Sequence, residues 1–296
     1  MYHRFAFDPA GAFDEFERRF QDAHVFYRRA DCGALLAAAE EQELDQGQRL
    51  WLRYYQARLA LVLDRWAEAE AGYRELLAEL PPSPPAPLPT QGEGRLRTWT
   101  LHSLGRALDS QGKWAEAVEV YQEALKGRRE LGDRHGEGQT LNNLGNIYQA
   151  QGRWEQAIEC YQQDLAICRE LGDRHGEGAT LNNLGNVYHS QGRWDQAIEC
   201  YQESLRICCE LGDRLGEAYV LHSLGEWHKG QGQLDEAIAR YQEALAIRRE
   251  LDAWPQAGET LHALAEVYTI RGEWARAAEM AEQAAGMWRR AAEGSG

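Results

Sequence analysis

Residues 176–215 read GEGATLNNLGNVYHSQGRWDQAIECYQESLRICCELGDRL, and the reading of this stretch decides the fold. Leu181, Leu184 and Tyr188 fall at i, i+3 and i+7, which lines one face of a helix, with the small Gly185 among them. Gln191-Gly192-Arg193 breaks the pattern. Trp194, Ala197, Ile198, Tyr201, Ser204, Ile207 and Cys208 then resume the helical spacing on a second helix. Leu211-Gly212 closes that helix, since glycine takes up the left-handed conformation of a helix end. Asp213 follows, where a carboxylate caps the next helix. The stretch therefore predicts helix, tight turn, helix, tight turn. Gly185 and Ala197 are small enough to let the two helices approach closely.

The pattern returns every 40 residues. Leu104-Gly105, Leu144-Gly145, Leu184-Gly185 and Leu224-Gly225 are followed by Leu264-Ala265; Trp114, Trp154 and Trp194 keep the same step, with Leu234 and then Trp274. Residues 113–152 and 153–192 are identical at 26 of 40 positions. A single helix pair cannot bury its apolar stripe, so neighbouring repeats must stack. A length of 296 residues, which alone suggests about two domains, is here explained by one array. The tryptophans open the second helices in the register of the stripe and are expected to anchor the core.

Outward from residues 95–292, which hold five repeats, the pattern loosens. Ala57, Trp66, Ala69 and Tyr73 mark a divergent repeat over 48–80. Residues 81–94 hold six of the eight prolines and are expected to form an inserted surface loop, a reading preferred to a proline-rich ligand for an aromatic groove. Residues 1–47 are expected to supply two divergent helices, Phe13 to Arg29 and Asp31 to Leu44, as a degenerate repeat or cap. Residues 293–296 are read as a flexible tail. Met280, Met287 and Trp288 lie on the last helix, and its expected uncapped face is a candidate surface for a homodimer.

Composition and motifs exclude several function classes. The net charge of −15, with no block of basic residues, opposes nucleic acid as a partner. No apolar run is long enough to span a membrane, and six cysteines without a C-x-x-C pair suit a reducing compartment, so a cytoplasmic location is expected. None of the zincin, P-loop, nucleophile-elbow or dinucleotide motifs occurs, and no enzyme is expected. Gly136-Glu137-Gly138 recurs as Gly176-Glu177-Gly178, which makes it structural punctuation. Cys160 and Cys200, like Cys168 and Cys208, are one period apart and are read as small core residues. His102, His222 and His262 share one register, without the acidic or thiolate ligands of a zinc site. No metal and no cofactor is expected.

Leu181, Leu184-Gly185, Tyr188, Ala197 and Tyr201 resemble the tetratricopeptide repeat. With a period of 40 rather than 34, and with Leu-Gly-Asn-x-Tyr and Gly-Asp-Arg segments, the repeat looks most like those of Partner-of-Inscuteable (G-protein-signalling-modulator) scaffolds. It resembles the repeats of kinesin light chains more loosely. The resemblance implies an all-α, right-handed superhelical solenoid of antiparallel helix pairs that binds a peptide segment of a partner protein along its concave face.

The face so implied comprises Trp99, His102, Ser103, Arg106 and Asp109; then Gln139, Asn142, Asn143, Asn146 and Gln149; then Asn182, Asn183, Asn186 and His189. Tyr219, His222, Ser223, Glu226 and Lys229 follow, with Glu259, His262, Glu266 and Thr269 last. Asparagine is a mediocre helix former, so three on one helix call for a reason. Its amide both donates and accepts, which suits an extended peptide. The competing explanation is hydrogen bonding between neighbouring helices. Glu226, Glu259 and Glu266 make one end acidic, which would favour a ligand with basic residues at one end. Beside this adaptor reading stand a self-assembly module and a regulatory subunit of an enzyme on another chain.

Overall fold

The computed structural model describes residues 44–80 and 91–293, together with Gly33, Leu36, Ala37 and Glu40. The expected helix Phe13 to Arg29, residues 81–90 and the tail 294–296 lie outside the described residues, as does most of Asp31 to Leu44. Two compact units, Met1–Ile147 and Tyr148–Gly296, divide the chain. Twelve helices and no strand occur among the described elements, which makes the chain an all-α repeat solenoid.

In the first unit, α1 (Gln46–Val62) and α2 (Trp66–Glu79) are the divergent repeat, and α3 (Gln91–Ser110) and α4 (Trp114–Leu131) are the first full one. Asp45 caps α1 by accepting from the Gln48 amide at 2.8 Å, and the Gln48 side chain accepts in return from the Asp45 amide at 3.0 Å. α3 begins at Gln91, so residues 91–94 are helical where the sequence suggested loop; the last proline of that segment is Pro89, so nothing in 91–94 removes a backbone donor. Each helix packs on the next, and α1 also touches α3. α5 (Arg134–Ala150) straddles the boundary between the units.

The second unit continues with α6 (Trp154–Leu171), α7 (Arg174–Ser190), α8 (Trp194–Leu211), α9 (Arg214–Gly230), α10 (Leu234–Glu250), α11 (Trp254–Ile270) and α12 (Trp274–Glu293). Sequential helices pack together, and the first helices of the repeats, α7, α9 and α11, also touch side by side. The Gly-Asp connector works as its residue types dictate. Gly172 and Gly212 hold φ of +69° and +66° at the ends of α6 and α8, and Asp173 and Asp213 accept from the amides of Gly176 and Gly216 at 2.8 and 2.9 Å.

The Leu-Gly pair is the lock within each helix pair. A Cβ at Gly185 would stand 2.6 Å from the Tyr201 ring, and one at Gly225 would stand 2.6 Å from the Tyr241 ring. Tyr201 and Tyr241 are almost wholly buried against these glycines. The buried Glu177 of the connector is held by Arg169 at 2.8 Å and by Arg174, which explains the recurrence of Gly-Glu-Gly without a phosphate.

The tryptophans depart from expectation. Trp114 and Trp194 are 39% exposed and Trp274 is 68% exposed, while Ala117, Ala197 and Ala277 fill the interior one turn later. Sitting at the first helical position, each indole lies over the preceding turn; a Cβ on Gly192 would be 3.7 Å from the Trp194 ring. The cysteines follow expectation in part: Cys160, Cys168 and Cys208 are buried, Cys200 is half-buried and Cys209 is exposed.

Candidate functional site

The first unit places Trp99 in an aromatic cluster, edge-on to Trp51 at 5.6 Å, with the Arg95 guanidinium 5.2 Å above its ring. His102 packs edge-on against Tyr121, and its Nδ1 lies 3.1 Å from the Thr140 hydroxyl. Burial, with Arg128 and Arg106 nearby, pushes its pKa down to about 3, so the ring is neutral at physiological pH. Ser103 is buried and bonded to Tyr54 at 3.2 Å. Arg106 and Asn146 are exposed, and Asn142 and Asn143 half-buried. The Tyr121 hydroxyl is buried without a hydrogen-bond partner.

In the second unit the Asn186 Oδ1 accepts from the Tyr201 hydroxyl at 2.7 Å. Gln149 does the same for Tyr161 at 3.0 Å. One reason for asparagine on these helices is thus internal: it satisfies a buried phenol of its own repeat. The Asn186 amide N–H groups are what that residue has left to offer a ligand. Asn182 and Asn183 are half-buried, and the Asn182 Oδ1 is buried without a hydrogen-bond partner. His189 packs edge-on to Trp194 at 5.2 Å, and burial lowers its pKa. His222 lies 5.3 Å from Tyr241, and burial, with Arg248 nearby, pushes its pKa down to about 4.

The acid expected at the far end is offset in part. Lys229 Nζ stands 2.7 Å from Glu226 and 2.9 Å from Glu266, and Glu226 also accepts from the Tyr241 hydroxyl at 2.5 Å. Burial would raise the Glu226 pKa, but the bonds from Lys229 and Tyr241 outweigh it and hold the carboxyl below its usual range. His262 Nε2 lies 3.4 Å from Glu266. Of the three glutamates, Glu259 is left exposed with no hydrogen bond or ion pair among the described residues, so this end is a paired network and not a bare anionic patch.

Two cavities open beside these residues within the second unit. One of about 770 Å³ is lined by the polar His189, Glu226, Lys229, His262 and Glu266 and by the apolar Ala265, Ile270, Trp274, Ala277 and Ala281. The other, about 320 Å³, is bounded by Asn182, Asn183, Ser204, Ile207 and Tyr219. The polar residues lining the larger cavity are among those the sequence assigns to the concave face. The apolar lining was not legible, because the register of Trp274 reads as a core anchor.

Met280 and Met287, expected on a self-association surface, are partly buried and pack against the core formed by α10 and α11. Trp288 folds its indole over Gly258 and stands 6.3 Å from His262, although it is 45% exposed. Met280 and Met287 are partly buried, and the exposed residues of α12 around them include Glu282, Ala285 and Arg289 as well as Trp288.

Family models for the tetratricopeptide repeat match residues 97–137, 136–210 and 216–290. The chain belongs to the tetratricopeptide repeat family. Among solved structures, its fold is similar to BtubC (BKLC) from P. vanneervenii, at 22% identity and a TM-score of 0.59 over 78% of this chain and 91% of that one. A Rap protein complexed with Competence and Sporulation Factor matches at 16% identity and a TM-score of 0.73, over 95% of this chain and 77% of that one. Tetratricopeptide-like repeats of a putative kinesin light chain from Podosopora anserina match at 20% identity and a TM-score of 0.56, over 71% and 99%. At these identities the likeness is one of fold. No curated protein matches the sequence. Among the described residues no tetratricopeptide helix is long and apolar enough to cross a membrane, and no group of three His, Cys, Asp or Glu is placed to hold a metal ion.

Proposed function

We propose that this tetratricopeptide repeat protein is a non-enzymatic adaptor of the cytoplasm that holds an extended segment of another protein against the first helices of its repeats. The observation that carries this reading is the 770 Å³ cavity of the second unit. Part of its lining is apolar and built of small residues with Trp274 and Ile270 exposed; the rest presents His189, His262 and the Glu226–Lys229–Glu266 network. An apolar floor with a few fixed polar groups is how a protein binds a side chain while reading its backbone. The fold agrees with this, since the Rap protein of similar fold is complexed with Competence and Sporulation Factor.

Asn143, Asn146, Asn183 and Asn186 are proposed as backbone contacts, Asn186 through its Nδ2 amide. Because Lys229 offsets one of the two nearby carboxylate charges, any preference for basic residues rests on the charge that remains in this network and on Glu259. The test is capture of peptides from a displayed random library by the intact chain, followed by replacement of the four asparagines with alanine. Helical content should persist while capture is lost. Capture that survives the fourfold replacement and also survives Trp274→Ala would overturn the reading.

A further inference from the structure

At the 40-residue step, the second helices carry Arg128, Cys168, Cys208 and Arg248 at one position. Both arginines are buried, with exposures of 5% and 1%. Five residues later the same step runs Asp133, Asp173, Asp213 and Ala253. Arg128 therefore has a carboxylate, and its Nη1 stands 3.0 Å from Asp133. Arg248 has alanine there, and among the described residues no carboxylate lies within ion-pair distance of it. Its Nη1 donates to the Gln256 carbonyl at 2.8 Å and to the Thr260 hydroxyl, while its Nε is buried and donates to nothing. Arginine keeps its charge, so this is a buried cation without a counter-charge, an arrangement that folding alone disfavours. The Nε edge of a guanidinium is one of those that grip a carboxylate with two parallel bonds.

The Arg248 guanidinium has an aromatic neighbour that reaches the surface. The Tyr219 ring lies 5.1 Å from the Arg248 Cζ, and Tyr219 itself is 40% exposed. Its hydroxyl receives one long bond, 3.4 Å, from the Gln256 amide. Tyr219 also borders the 320 Å³ cavity, which gives the ring space into which to turn. Aromatic residues stand at one offset from the two arginines: 29 residues before Arg128, Cys168, Cys208 and Arg248 are Trp99, Gln139, Ala179 and Tyr219, although the cation over Trp99 is that of Arg95. Glu259 acts on Arg248 only from beyond bonding distance.

We propose that Arg248 is a covered carboxylate subsite: an acidic side chain of the bound segment turns Tyr219 aside and pairs with the Nε edge of the guanidinium. The proposal rests on the adaptor reading for the source of the carboxylate, but the subsite is testable without any peptide. The probe is sodium acetate, titrated against sodium chloride at equal ionic strength, with the side-chain Nε–H resonance of Arg248 observed by NMR and assigned by its loss in Arg248→Lys. Acetate should shift that resonance saturably in the native protein, and Tyr219→Ala should tighten the response several-fold; chloride should not reproduce it. Absence of an acetate-specific shift in both proteins, or a shift confined to other arginines, overturns the subsite.

The second arm uses peptides selected on the intact chain. They should contain an Asp or Glu whose change to the amide weakens binding at least tenfold, and Arg248→Met should erase that difference while helical content is retained. If selected peptides depend on the four asparagines yet ignore both Arg248→Met and the acid-to-amide change, the subsite fails and the adaptor reading stands. If no peptide is captured, the adaptor reading fails, and the acetate arm alone decides the subsite. Tyr219→Ala leaves the arginine in place, so the test does not depend on Arg248→Met folding.

Discussion

Replacing Gly185 with alanine tests the lock that joins the two helices of a repeat. On helix propensity alone the change should stabilise by about 1 kcal/mol. The structure opposes this, because the new methyl would lie 2.6 and 2.7 Å from two carbons of the Tyr201 ring. Ordinary carbon contacts are about 3.5–4.0 Å, so the ring must retreat by roughly 1 Å. It is 1% exposed and anchored by its hydroxyl to Asn186 at 2.7 Å, so retreat disturbs close packing and a buried hydrogen bond together. Overpacking costs about 1–3 kcal/mol and a weakened hydrogen bond about 1 kcal/mol, against the gain of about 1. The expected net loss is about 1–3 kcal/mol.

The same substitution should change sign in a Tyr201→Ala background. That single change costs about 3–5 kcal/mol by opening a cavity, which the alanine at 185 then partly fills while adding helix propensity. The last repeat already carries this combination, with Ala265 in the glycine position and Ala281 in the tyrosine position. Urea unfolding followed by far-ultraviolet circular dichroism, fitted with a nearest-neighbour repeat description, gives the four free energies of the cycle. The reasoning is refuted if Gly185→Ala stabilises the otherwise unaltered chain, or if its effect has the same sign in both backgrounds.

Three further outcomes are expected. His222, with a folded-state pKa near 4 against 6.5 unfolded, takes up its proton more readily in the unfolded chain; its stability contribution is complete above about pH 6.5 and is lost as the pH falls toward 4. His222→Gln should therefore flatten the acid limb of stability against pH, on the order of 2 kcal/mol, and an unchanged limb would count against the buried imidazole. Lys229→Met should leave the half-buried Glu226 without its cation and raise its pKa, so the thermal midpoint should fall at pH 7 and partly recover at pH 5; equal losses at both values would contradict the pairing. Met287→Gln should lower stability by about 1–3 kcal/mol without changing the mass found by light scattering, because Met287 packs inward; a change in mass at unchanged stability would restore the dimer surface.

The repeat was legible in the sequence because each of its devices is local or pairwise. Gly172-Asp173 and Gly212-Asp213 encode a left-handed turn and a cap within a few residues, and Gly185 with Tyr201 encodes a contact between adjacent helices. The side-chain partners on the candidate face were less legible. Nothing in the spacing of Asn186 says that its oxygen is used by Tyr201, and nothing in Glu226 and Glu266 says that Lys229 stands between them. The tryptophans misled for a related reason: Trp194 has the register of the stripe, but at the first helical position its ring reaches back over the turn. Arg248 left a readable trace, since its arginine and the missing aspartate at 253 break the period together. Its environment required coordinates.

The division of aromatic residues between the turns and the interior fixes what light will report. Tyr73, Tyr121, Tyr161, Tyr201 and Tyr241 are sealed inside the helix pairs, whereas Trp66, Trp114, Trp194 and Trp274 meet solvent in the native state. Acrylamide should reach these four indoles in the folded protein. Unfolding should change their emission less than that of the half-buried Trp51, Trp99, Trp154, Trp227 and Trp254. The same property makes Trp274, on the wall of the larger cavity, a native reporter for whatever enters there: a blue shift on titration would record the arrival of a ligand, with no dye attached.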